Sequence, residues 1–114
     1  MDTTEFQRSD ITGSAMVSLL IENRGSGTAF FEGCPEPVNM VVERLDGSWI
    51  SHAELNSGCG PSETPTQLAL DGNKAYAYSY PESEVGLYRL RLFYGDRLDA
   101  PEEHSAMSPE FTVH

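Results

Sequence analysis

"SEVGLYRLRLFY", residues 83–94, alternates apolar and polar side chains through its second half, with Tyr88, Leu90, Leu92 and Tyr94 on one face and Arg89 and Arg91 on the other. Period two is the signature of a strand with one side on a core and the other in water, and Gly86 marks where this one begins. Such a strand needs partners, and the flanking sequence has the same period. "SAMVSLLIEN" puts Val17, Leu19 and Ile21 together, opposite Met16, Ser18, Leu20 and Glu22, before "NRGSG" breaks the run. "TAFFE" reads as a short aromatic strand, and "PVNMVVERL" aligns Val38, Met40 and Val42. Asp46-Gly47 then suits a tight hairpin turn, which returns "SWISHAEL" antiparallel. In "TQLALDGNKAYAYSYP", Leu68 and Leu70 alternate, as do Tyr76, Tyr78 and Tyr80, and Asp71-Gly72-Asn73 reads as a turn or as a bulge where one strand bends. The acidic "DRLDAPEEHSAMSP" carries no strand pattern, and "EFTVH" closes the chain. No window has helical spacing, and Gly (10) and Pro (7) punctuate the sequence throughout, so an all-β fold is expected.

About seven to eight short strands with turns every 8 to 12 residues are the pattern of an immunoglobulin-like antiparallel β-sandwich. At 114 residues there is room for one core, expected over 15–114, with 1–14 as a flexible N-terminal segment. Glu84, Gly86 and Tyr88 stand two apart and lead into Leu90, which resembles the tyrosine corner of immunoglobulin-like domains, where the tyrosine hydroxyl bonds back to the corner backbone. Leu90 occupies the place of the antibody cysteine, so Cys34 and Cys59 serve another purpose.

The 18 acidic against 7 basic side chains give a net charge of −11, a field that repels nucleic acid and anionic membranes. No apolar run reaches the ~18 to 20 residues that cross a bilayer as a helix, so no membrane insertion is expected. The polar opening "MDTTEFQRSDITGS" is compatible with a tether below a removed signal or lipoprotein anchor.

Cys34 and Cys59 stand 25 positions apart, each beside glycine and near proline. A redox dithiol favours C-x-x-C at a helix start, a zinc site needs four ligands from a set limited to these cysteines, His52, His104 and His114, and a nucleophile needs an oriented histidine base. The spacing suits none of these, which leaves two buried thiols or a disulfide across the central hairpin. A disulfide is expected, and with it an oxidising compartment: secreted, periplasmic or cell envelope.

Asp96, Asp99, Glu102 and Glu103 offer hard oxygens, but Arg97 and Pro101 interrupt them and the spacing fits no calcium loop, so neither metal nor cofactor is expected. Trp49 and the row Tyr76, Tyr78, Tyr80 are candidate contacts for a protein or carbohydrate, weighed against a place in the core. G-x-S-x-G, H-E-x-x-H, the P-loop and G-x-G-x-x-G are all missing, so no enzyme is expected; an enzymatic reading would require a pocket joining His52 to a carboxylate.

"VSLLIENRGSGTAFFEGC", "VERLDGSW" and "GLYRLRLFY...SPEFTV" together resemble small bacterial extracytoplasmic domains of immunoglobulin-like fold, including those similar to the intracellular proteinase inhibitor domain of bacilli. That resemblance implies a β-sandwich and an inhibitory role. The residues themselves lead to the expectation of a monomeric, non-enzymatic, exported binding or spacer module, with a proteinase inhibitor presenting the loop after Cys59 as the alternative.

Overall fold

The computed structural model describes residues 5–114, which are all-β with no helix. Its strands are β1 (Glu5–Phe6), β2 (Ala15–Glu22), β3 (Ala29–Gly33), β4 (Met40–Asp46), β5 (Ser48–Leu55), β6 (Thr66–Leu70), β7 (Ala75–Glu82), β8 (Gly86–Tyr94), β9 (His104–Met107) and β10 (Phe111–Val113). The count is ten rather than seven to eight, and the main sheet is mixed rather than purely antiparallel.

That sheet runs β1-β10-β8-β4-β5, with β9 also on β8. β8 is its spine: β4 covers one edge, and the other is shared by β10 beside Gly86–Tyr88 and β9 beside Arg91–Tyr94. Pro109 has no amide proton to offer the ladder, and Ser108 bridges the interruption, its amide donating to Leu90 O (2.8 Å) and its hydroxyl accepting from Leu90 N (2.8 Å). β9 lies in the stretch expected to carry no strand. Four residues are too few to show a period, and here the open edge of the long β8 organises them. The parallel pair is β1 with β10, fixed by Phe6 edge-on to Phe111 at 5.7 Å.

The other two sheets are successive arms of one ribbon. β2 pairs antiparallel with β7 and β3 with β6, and between the arms the six residues 23–28 face the four residues 71–74. Asn23 fills the mismatch, its Nδ2 donating to Gly27 O and Leu70 O (2.8 Å each) and its Oδ1 accepting from Gly25 N (3.0 Å). Asp71-Gly72-Asn73 is therefore a turn, closed by Lys74 N donating to Asp71 O (3.1 Å), that bends the ribbon between β6 and β7 without reversing it. Gly72 is needed there, because a Cβ would lie 2.5 Å from Gly25 O.

One core joins ribbon and sheet: Val17, Ile21, Phe31, Leu70 and Tyr80 from the ribbon meet Met40, Val42, Tyr88, Leu90, Phe111 and Val113 from the sheet. Phe30 and Gly95 exchange backbone bonds (2.9 Å each), linking β3 to the end of β8. On the opposite side, among the described residues, β2 has no such link, and the assembly does not close into a barrel.

Candidate functional site

Cys34 leaves β3 and Cys59 follows β5, and the two are disulfide-bonded with Cα atoms 5.2 Å apart, so neither is free to hold zinc or act as a nucleophile. The chain must turn sharply at Gly33, where a Cβ would meet Glu36 O and lie 2.9 Å from Val38 N. Asn56, held at a φ of 57°, ties this corner together: its Nδ2 donates to Val38 O (2.9 Å) and Tyr78 Oη (3.1 Å), its Oδ1 accepts from Glu36 N (3.3 Å), and its carbonyl accepts from Cys34 N (3.3 Å).

The acidic loop reaches the same end of the molecule. Buried Asn39 donates to Glu102 Oε1 (2.8 Å), and the cystine, Asn39, Asn56, Glu32 and Glu102 surround a hollow of about 130 Å³. Two loops that the sequence singled out separately thus meet around the disulfide. Beyond Cys59 the chain closes into a turn, with Glu63 N donating to Gly60 O (3.1 Å) and Gly60 N to Glu63 Oε1 (3.0 Å).

The remaining acidic side chains do not converge. Asp96 pairs with His104 (2.9 Å) and Asp99 with Arg97 (3.6 Å), and among the described residues no group of three or more His, Cys, Asp or Glu is arranged for a metal ion.

The tyrosine row points inward. Tyr80 is 4% exposed, while half-buried Tyr76 donates to Glu36 Oε2 (3.2 Å) and half-buried Tyr78 accepts from Asn56, so two of the three hydroxyls hold up the cystine corner. Burial, then the bond to Glu36, raises the Tyr76 pKa; burial, then the charge of Glu82, raises that of Tyr80. Trp49 is elsewhere, on the outer face of the main sheet, with the Arg89 guanidinium 4.3 Å from its ring and Glu43 Oε1 2.6 Å from Arg89 Nε. The structure does not gather Trp49 and the tyrosines into one surface.

Tyr88, fully buried, donates to Glu84 O at 2.7 Å, the bond the Glu84-Gly86-Tyr88 spacing anticipates. Beside its ring is a feature that motif reading missed: His52 Nε2 lies 3.1 Å from Glu82, Nδ1 lies 3.6 Å from Glu84, and the imidazole meets Tyr88 edge-on at 5.3 Å. Glu82 continues the inward period of Tyr76, Tyr78 and Tyr80, so an acid at that position was the available signal. Neither the cystine hollow nor the larger one on the β2 side includes His52, and among the described residues its side-chain partners are the two carboxylates, with no hydroxyl or thiol for it to activate.

No protein-family model matches the chain, and no curated protein is significantly similar to it.

Proposed function

We propose that this chain is an immunoglobulin-like β-sandwich serving as a non-enzymatic, exported binding module of a bacterial cell envelope or secreted protein. Supporting the fold are a sheet and a facing ribbon around one core, and the Tyr88 hydroxyl bond at the corner where β7 hands over to β8. The observation that carries the export reading is the disulfide, which suggests an oxidising, extracytoplasmic compartment. The hydrogen bonds around it give a rigid corner on which the 56–65 and 95–103 loops are mounted, an arrangement suited to presenting contacts to a protein partner.

Alkylation of the native protein, followed by intact mass with and without prior reduction, tests the reading. No adduct before reduction and two after it are expected. Two adducts on the unreduced protein would overturn the export argument.

The inhibitor alternative draws on the exposure of residues 61–67 beside the cystine. It receives less support, because protease clefts take extended strands and the Gly60–Glu63 turn folds this loop back on itself. Inhibition of any member of a serine, cysteine and metalloprotease panel at micromolar protein would restore it.

A further inference from the structure

β2 is an edge strand without the usual protection. It pairs with β7 in unbroken register from Ala15 to Glu22, and its "AMVSLLI" contains no charge, no proline and no bulge. The main sheet's edges are blunted, since β5 carries Glu54 and pairs across a bulge at Val42/Glu43 while β1 and β9 are two and four residues long. In the ribbon, the far edge of β7 is interrupted by Pro81 and ends on Glu82, and β3 and β6 are only five residues long.

The direction of its free backbone groups follows from the ladder. Asn23 N donates to Lys74 O (3.0 Å), so stepping back by two turns Ile21, Leu19, Val17 and Ala15 toward β7. Met16, Ser18, Leu20 and Glu22 then aim N–H and C=O outward. Among the described residues no backbone bond reaches these outward groups.

Beside this edge is a hollow of about 780 Å³ between β2 and the β8–β9–β10 side, floored by Met40, Leu90 and Leu92. Its rim is apolar at Leu20 (53% exposed) and Met107 (42% exposed). An unpaired strand edge beside an apolar trough is what strand addition requires: backbone bonds on the edge, alternate side chains in the trough.

Charge selects the occupant. A second copy would bring together two chains of net charge −11, whereas a cationic strand is attracted to them. At the rim, Arg24 is neutralised by Glu22 (2.8 Å), and Glu110 contributes a further acid.

We infer that the free edge of β2 and the trough beside it receive an extended strand of a basic protein partner, with apolar side chains at alternate positions and lysine or arginine between them. This deepens the binding-module reading and rests on it.

The probe is an end-capped nine-residue peptide with valine or leucine at odd positions and lysine or threonine at even ones, titrated into the full chain by backbone NMR. Binding at about 100 μM or tighter is expected, with amide shifts centred on 16–22 and 106–111. Leu20→Lys, which places a like charge on the exposed rim, weakens binding about tenfold or more, and Ser18→Pro, which removes one outward N–H and the exposed Ser18–Ser79 hydroxyl contact (3.2 Å) while leaving the backbone bonds to β7 in place, does the same. Leu45→Lys, on the β4–β5 hairpin, leaves it unchanged. Replacing the peptide's lysines by glutamates lowers affinity about tenfold, and salt does so progressively.

No shift at millimolar peptide, or equal binding by the acidic peptide, overturns the inference. So does a concentration-dependent dimer that Leu20→Lys dissociates, since a second copy then owns the edge. Retained thermal transitions in the variants show that loss of binding is not loss of fold. The alkylation result reads the export argument separately, so either idea can fail alone.

Discussion

The Tyr88 hydroxyl donates to the Glu84 carbonyl oxygen at 2.7 Å from a position that water does not reach, and so ties the first residues of β8 to the chain leaving β7. Both residues flank Gly86, whose φ of 156° and lack of a side chain leave room for the Arg44 guanidinium. Tyr88→Phe keeps the ring's contacts with Phe111 and His52 and removes only the bond. A loss of about 1 to 2 kcal/mol in urea unfolding at unchanged slope is expected. A midpoint equal to wild type would show that the bond contributes nothing.

Alkali should weaken the fold before any other structural change. Burial raises the Tyr88 pKa to about 12, and Tyr76 and Tyr80 shift in the same direction. Between pH ~10, where an unfolded tyrosine ionises, and that raised value, the unfolded chain gives up protons that the folded chain keeps, so stability falls as pH rises. Urea midpoints at pH 8 to 11, followed with tyrosinate absorbance, should decline only above about pH 10, with part of the absorbance appearing together with unfolding. Full tyrosinate absorbance in a still-folded protein would contradict this.

Removing the cross-link acts chiefly through the unfolded state. For a loop of 25 residues the chain-entropy relation gives about 3.5 kcal/mol, so the Cys34→Ala, Cys59→Ala double variant should lose roughly that amount. The far-UV spectrum should persist if the remaining core suffices. A loss under about 1 kcal/mol would mean that the Asn56 bonds hold the corner closed without the cystine.

The bend in the ribbon offers two independent substitutions. Asn23→Ala leaves Leu70 O and Gly27 O without their side-chain donor and should destabilise by about 1 to 2 kcal/mol. Gly72→Ala forces a methyl group against Gly25 O and should also destabilise, while Gly27→Ala, with open space around its Cβ, serves as the matched control. Equal midpoints for the two alanine variants at 72 and 27 would remove the steric argument.

The inward faces were legible because period two is a local property. Val17 and Ile21, Met40 and Val42, and Tyr88 and Leu90 are buried where the alternation puts them, and the cystine followed from the chemistry its spacing excludes. What was not legible depends on partners distant in sequence. β9 exists because β8 leaves an edge open, and β1 because the chain end at Phe111–Val113 offers one. The convergence of the two loops rests on Asn39 reaching Glu102 across 63 positions, which no local pattern encodes. Glu82 lies between these cases: its burial could be read by extending the tyrosine row, its histidine partner could not.

The cystine also determines what a protease can do to this protein. Cys34 and Cys59 bracket the whole β4–β5 hairpin, at whose tip Asp46, Gly47 and Ser48 are all exposed. A single cut there yields two fragments that remain one covalent body, with β4 still paired to β8 and β5 to β4. The hairpin tip can be nicked without the halves parting, and the nick becomes visible only when reductant is added.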